Sequence, residues 1–309
     1  MNIFLYFLVV AVWGTTWIAI KMQLGSVAIP LSIAYRFGLA ALVLFCFLAF
    51  TGRLKRPPAG AGKLLLAQGV TLFCVNFLCF YYASQWIASG LVAVVFSSAP
   101  LWNALNGRLF LGRKITPQVM GGALLGMGGI LALFWPEMRH HAASSATWLG
   151  LGLALLGTLS FSAGNLLSSA LQSRGLTPLG TNAWAMLVGT LILLAGVAVS
   201  GTPLTMDWSP KYLGALLYLA IPGSVVGFTA YLMLVGRIGP DRAAYSTVLF
   251  PVVSLNISAW LEGYQWTAVG LGGLLLVIAG NVLVFRQQRP APVLPPRATG
   301  SAASGSASQ

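Results

Sequence analysis

Ten stretches of this 309-residue chain, each close to twenty residues long, are apolar almost throughout, and this constrains its folding more than anything else. About 20 such residues span the hydrocarbon of a bilayer as a helix. In that medium every backbone polar group must be satisfied within the segment itself. The stretches run approximately 3–22, 30–50, 64–83, 88–108, 117–135, 148–170, 179–200, 212–234, 243–261 and 267–285. The first has apolar ends and no small-residue cleavage site, so it reads as a retained span. A transmembrane β-barrel would need short segments of alternating polarity, and here the apolar runs are continuous. Only 7% of the residues are charged and 58% are hydrophobic, which excludes a soluble enzyme, a disordered chain and a nucleic-acid binder. The expected fold is an all-α integral membrane protein of ten transmembrane helices.

The net charge of +13 is explained by position. With ten spans, Arg53, Lys55, Arg56, Lys63, Arg108, Arg113, Lys114, Arg174, Arg237, Arg242, Arg286, Arg289 and Arg297 fall on one side, together with both termini. Only Lys21, Arg139 and Lys211 fall on the other. Thirteen against three predicts that both termini are cytoplasmic. Residues 287–309 turn to Pro, Ser, Ala and Gly and are expected to be disordered, the last dozen reading as a cloning remnant.

The two halves resemble each other. Pro30-Leu31 opens the second stretch and Pro178-Leu179 the seventh, 148 residues later. The same offset sets Trp13 on Phe161, and Pro100 matches Pro251 at an offset of 151. Residues 1–136 and 147–286 therefore read as two five-helix repeats. Five is odd, so the second copy enters the membrane from the opposite side. Such inverted repeats build many secondary transporters, because two similar halves can exchange conformations around one central site.

Intramembrane charges are the first functional suspects. Arg36 lies about two turns into the second stretch, and Lys21 ends the first. Both are candidate docking charges for a substrate carboxylate, with a role in anchoring the helix end as the alternative. The four acids, Glu137, Asp207, Asp241 and Glu262, lie in or beside loops. His140 and His141 read as solvated, and Cys46, Cys74 and Cys79 as packing residues. No metal site, no cofactor and no catalytic set is expected. A cavity must then be lined by neutral polar and aromatic residues. Trp13 and Trp17 share a helix face with Thr16 alongside. Thr158, Ser162 and Asn165 form a polar stripe, which would not be left facing lipid. Ser98 with Trp102, Tyr82 and Tyr245 complete the candidates, and Pro100 and Pro251 are candidate hinges.

Several of these residues stand in a familiar order. Trp13-Gly14-Thr15-Thr16-Trp17, then Lys21, Pro30 and Arg36, resembles the opening of the EamA family of the drug/metabolite transporter superfamily. Pro100 followed by Leu111-Gly112-Arg113-Lys114-Ile115-Thr116 resembles a later segment of that family. Pro251 followed by Leu261-Glu262-Gly263 and Gly270 resembles it more closely. In the first copy Arg113 stands where the pattern is acidic, and Glu262 keeps the acid in the second. The resemblance implies ten helices in inverted repeats and export of small metabolites, amino acids foremost. The neutral aromatic lining suits an amphipathic zwitterion with an apolar side chain. A drug exporter of the same fold remains the alternative, with a channel or a membrane-embedded enzyme behind it. The expected partners are a small-molecule substrate and the lipid bilayer, with no nucleic acid and no obligate protein partner.

Overall fold

The computed structural model describes residues 2–112, 114–140 and 145–286; Arg113 and the tail 287–309 lie outside the described residues, as do the side chains of Arg139 and Tyr245. Each of the ten apolar stretches is helical, and no strand occurs among the described residues. In chain order the helices are α1 (Asn2–Met22) and α2 (Ile29–Phe50), then α3, the continuous helical stretch Gly62–Trp86. Next come α4 (Ser89–Phe96), α5 (Ala99–Leu111), α6 (Pro117–His140), α7 (Ser145–Ser173) and α8 (Pro178–Val199). The chain ends with α9, the continuous stretch Pro210–Ile238, the short α10 (Pro240–Ala244), α11 (Phe250–Leu261) and α12 (Ala268–Arg286). Seven of the described helices are long and apolar enough to cross a bilayer, and Phe250–Leu261 and Ala268–Leu283 are shorter apolar helices. This is a multi-pass helical membrane protein.

The helices start where the chemistry of a first turn is met. Proline sits in the first turn of α2, α5, α8, α9 and α11, where its missing N–H has no intrahelical partner to lose. Thr177 and Ser209 cap α8 and α9 by accepting from the N–H groups of Gly180 and Tyr212 at 3.1 and 3.3 Å.

Three of the proline-bearing stretches are irregular inside. The fourth apolar stretch is broken at Ser97-Ser98, just before Pro100, so it becomes α4 and α5. The ninth contains a 3₁₀ turn, Tyr245–Leu249, just before Pro251. Pro222 lies within a π-helical segment of α9, Leu219–Val226, and α3 has a π-helical segment at Gly69–Val75 without any proline.

Small residues set the closest approaches. A Cβ on Gly129 would lie 2.5 Å from the carbonyl oxygen of Gly273, and one on Gly280 would lie 2.5 Å from that of Gly122. Helices α6 and α12 thus touch backbone to backbone, as small residues allow in lipid. Elsewhere the surface is greasy: Phe50 and Val199 are about nine-tenths exposed, as lipid-facing residues are.

The loop before α9 is tied to the loop after α1. Asp207 accepts from the Ser209 N–H and the Ser26 hydroxyl, both at 2.8 Å. These bonds, the backbone one foremost, hold its carboxyl below the usual carboxylate range. The depressed value means that this tie is present above the unfolded aspartate value and lost as pH falls through the folded one. Proteolysis between Gly201 and Ser209 should therefore stay slow from pH 7 to 5 and accelerate below about pH 4. Asp207→Asn should flatten that rise; an unchanged acid profile in the variant would place the sensitivity elsewhere.

Candidate functional site

The aromatic core of the molecule encloses a cavity. Trp13, Thr16, Trp17 and Ile20 of α1 form one wall. Arg36 of α2 and Asn76, Phe77 and Phe80 of α3 form the next, and Phe96, Phe161 and Phe228, from α4, α7 and α9, close it. The four α1 residues recur at the three- and four-residue spacing of one helix face. Trp13 is packed among rings, with Phe228 at 4.7 Å and Tyr231 at 5.0 Å between centroids. Trp17 meets Phe80 at 5.2 Å and Phe96 at 5.3 Å. The space left is about 30 Å³, room for a water or two.

The π segment of α9 holds two residues of this cavity, Trp13 and Arg36. Its wider turn leaves the Gly223 carbonyl free to accept from the Trp13 indole N–H at 2.9 Å. A side chain at Gly227 would collide with that indole, so glycine is what lets the ring lie against the helix. Ser224, in the same segment, donates to the Leu219 carbonyl at 2.7 Å and accepts from Arg36 Nε at 3.0 Å.

Arg36 is 2% exposed. Its guanidinium carbon lies 4.5 Å from the centre of the Phe77 ring and 5.0 Å from that of Phe37. Such cation–π contacts offset part of the desolvation of a buried cation. The Tyr81 hydroxyl lies beside it and itself donates to Gln23 Oε1 at 2.7 Å. The ion pair found among the described residues joins Lys21 to Glu262, so none of their carboxylates neutralises Arg36. Its Nη1 has no hydrogen-bond partner among them. A buried polar atom left in that condition costs about 1–3 kcal/mol, and more when the group is charged. The same holds for Trp17 Nε1 and Asn76 Oδ1.

A second polar cluster lies at the end of the cavity nearest Met22. Glu262, at the end of α11, accepts from the Ser89 N–H at 3.1 Å and the Ser89 hydroxyl at 2.5 Å. It also accepts from the Ser258 hydroxyl, which in turn accepts from the Gly90 N–H at 2.8 Å. The carboxylate thus sits on the N-terminus of α4, where anions are favoured. Lys21 Nζ lies 3.7 Å from Glu262 and donates to the Ser84 carbonyl at 2.7 Å. One cluster therefore fastens the ends of α1, α3, α4 and α11.

The structure gathers Trp13, Thr16, Trp17 and Arg36 around the cavity and sets Lys21 in the cluster beyond it. The α7 stripe is buried but engaged elsewhere. Thr158 back-bonds to the Ala154 carbonyl within α7, while Ser162 accepts from Asn106 and Asn165 donates to Tyr231, tying α7 to α5 and α9. Ser98 accepts from the Trp102 indole at 3.1 Å, and both line a separate recess beside α6 and α12. Tyr82 is 37% exposed and lines a groove with Gln85 and Pro30. The side chain of Tyr245 lies outside the described residues. Sequence reasoning passed over Asn76 and the five phenylalanines as lining, and it set Glu262 in or beside a loop without a partner. A single amide inside an apolar stretch was the available signal for Asn76.

This arrangement can be set against known proteins. The pattern of the EamA-like transporter family matches residues 1–135 and again 148–286. The chain belongs to the EamA-like transporter family. Among its relatives is the "Probable amino-acid metabolite efflux pump" of Salmonella typhimurium, 29% identical over 94% of this chain and 97% of that one. Another is the "Uncharacterized inner membrane transporter YedA" of Escherichia coli, also 29% identical, covering 92% of each. A solved crystal structure shares the fold at a TM-score of 0.64 and 15% identity, over 91% of this chain and 95% of that one. Family and relatives are transporters.

Proposed function

We propose that this EamA-family transporter exports amino acids or related small metabolites across the bacterial inner membrane. It does so by alternating access between two inverted five-helix repeats, 1–136 and 147–286. The observation that carries the reading is the cavity, whose aromatic walls come from both halves and enclose one buried cation. Its small volume belongs to a state closed around the site, and substrate enters when the halves rock apart. The relatives' printed names support the membrane, the substrate class and the direction.

Several features support the ten-span repeat. The family pattern matches twice, along nearly the same boundaries. The helix contacts also exchange under the duplication: α2 packs on α8, α6 on α12, and α3 on α7 as α9 does on α1. The π segments of α3 and α9 begin 150 residues apart, at Gly69 and Leu219. The breaks before Pro100 and Pro251 correspond too, and serve as the bending points. The thirteen-to-three distribution of positive charges supports cytoplasmic termini, with the Lys21–Glu262 cluster then on the outer face.

Counterflow in proteoliposomes tests the function. Vesicles loaded with unlabelled apolar amino acids should accumulate the labelled compound transiently. Absence of exchange for every amino acid, with exchange of a lipophilic cation, would turn the assignment to a drug exporter. Topology is read with single cysteines, after Cys46, Cys74 and Cys79 are replaced. A cysteine between Thr51 and Lys63 should react only from the cytoplasm and one at Ser26 only from outside. Reaction of both from one side would rule out the inverted arrangement.

A further inference from the structure

We propose that Arg36, Trp17 and Asn76 form a headgroup subsite that reads both charged groups of a zwitterionic α-amino acid, while the phenylalanines take its side chain. This rests on the amino-acid reading above and specifies how that substrate class is recognised. Three residues that line the same cavity each carry a buried side-chain atom without a hydrogen-bond partner: Arg36 Nη1, Trp17 Nε1 and Asn76 Oδ1. Their residues are 2%, 5% and 1% exposed. Two are N–H donors and the third is an acceptor. The assignment of the amide is fixed by its neighbour. Asn76 Nδ2 donates to the Leu72 carbonyl at 3.0 Å, and a carbonyl only accepts, so the oxygen is the end left free.

The chemistry of the three atoms is complementary to one ligand type. A carboxylate accepts from Arg36 Nη1 and from the Trp17 indole, and its charge supplies the anion that the buried guanidinium lacks among the described side chains. An ammonium donates to Asn76 Oδ1. A neutral amide there, in place of a carboxylate, avoids a fixed pair with Arg36 that would compete with the substrate. Arg36 is held by Nε on Ser224 and by the Phe77 face, so Nη1 needs no large rearrangement to reach a ligand. Of the remaining lining, Thr16 and Trp13 already donate to the Trp13 and Gly223 carbonyls, while Phe80, Phe96, Phe161 and Phe228 offer only ring surface. They fit an apolar side chain and offer nothing to a polar one. Arg36 and Ser224 further link the carboxylate subsite to the π segment of α9, and Asn76 directly follows the π segment of α3.

The test uses full-length wild-type protein in proteoliposomes, with exchange of labelled phenylalanine and leucine. Competitors differ by one group: phenylalanine, phenethylamine without the carboxylate, and 3-phenylpropionate without the ammonium. Each truncated compound should compete about tenfold or more weakly than phenylalanine. In Arg36→Gln the preference for phenylalanine over phenethylamine should collapse toward parity, and Arg36→Lys should keep part of it. Asn76→Leu should instead erase the preference over 3-phenylpropionate. These ratios do not depend on how much variant protein folds, and the wild-type series decides even where a variant fails to insert. If phenylalanine or leucine exchanges but a truncated compound competes equally well, the subsite assignment is overturned while the transporter reading stands. If neither amino acid exchanges, the subsite assignment is overturned, and the proposed function falls with it where every other amino acid also fails to exchange.

Discussion

Gly129→Val should lower both the stability and the yield of the folded protein. The added Cβ would meet Gly273 O at 2.5 Å and Val277 N at 2.7 Å, and both are backbone atoms that cannot rotate aside. Helices α6 and α12 would have to move apart along their shared face. That would also open the contacts of Gly280 with Gly122 and Gly126. Overpacking of this kind costs about 1–3 kcal/mol where side chains can yield, and here none can. A fall in Tm of about 5–10 °C in detergent is expected, with reduced yield from membranes. The neighbouring position supplies the control. A Cβ on Gly128 meets nothing within 4 Å, so Gly128→Ala should be neutral or slightly stabilising. Equal stability of the two variants would contradict the backbone contact.

Loss of the Glu262 carboxylate should unfasten the outer end of the cavity. Glu262 is the common partner of Ser89, Ser258 and Lys21. Hydrogen bonds to a charged acceptor are worth about 1.5–3 kcal/mol each when buried. The lysine contributes less, being 35% exposed and 3.7 Å away. In Glu262→Ala the state closed on that face loses about 2–4 kcal/mol relative to one in which α4 and α11 have separated. A cysteine at Ile20, which lines the cavity, should then react with an impermeant thiol reagent added outside about tenfold faster or more. Lys21→Met should have a smaller effect and Glu262→Gln an intermediate one. Identical rates in Glu262→Ala and its parent would show that the cluster does not seal the cavity.

These two sites differ in how far the chain itself announced them. The apolar stretches were legible because hydrocarbon permits one solution to the backbone hydrogen-bond problem. Arg36 was legible because a cation within such a stretch is costly. Trp13 and Trp17 were legible as a shared face. The phenylalanines of the cavity were not, since in sequence Phe96 or Phe228 looks the same as the lipid-facing Phe50. The stripe on α7 is a real face, but Thr158 bonds back into its own helix and Ser162 and Asn165 bond to neighbouring ones. Only the packing partners decide that. Glu262 stood at a helix end, where acids are ordinary, and its role comes from the start of α4, 173 residues earlier in the chain.

The paired π segments also change how a single helix can be read. An α-helix advances about 100° per residue, and one wide turn shifts the phase of everything beyond it. In α3, Gly69 lies against Ala185 and Val188 of α8, while Asn76, Phe77 and Phe80 beyond the segment line the cavity. In α9, Tyr212 bonds to Ser32 before the segment, and Gly227 and Phe228 meet Trp13 after it. Each helix is therefore two half-screws cut with different starting angles. Deleting one residue from either wide turn would restore a uniform thread and swing the cavity-facing rings toward another neighbour. Length in these segments sets the compass bearing of the substrate chamber, independently of which side chains it carries.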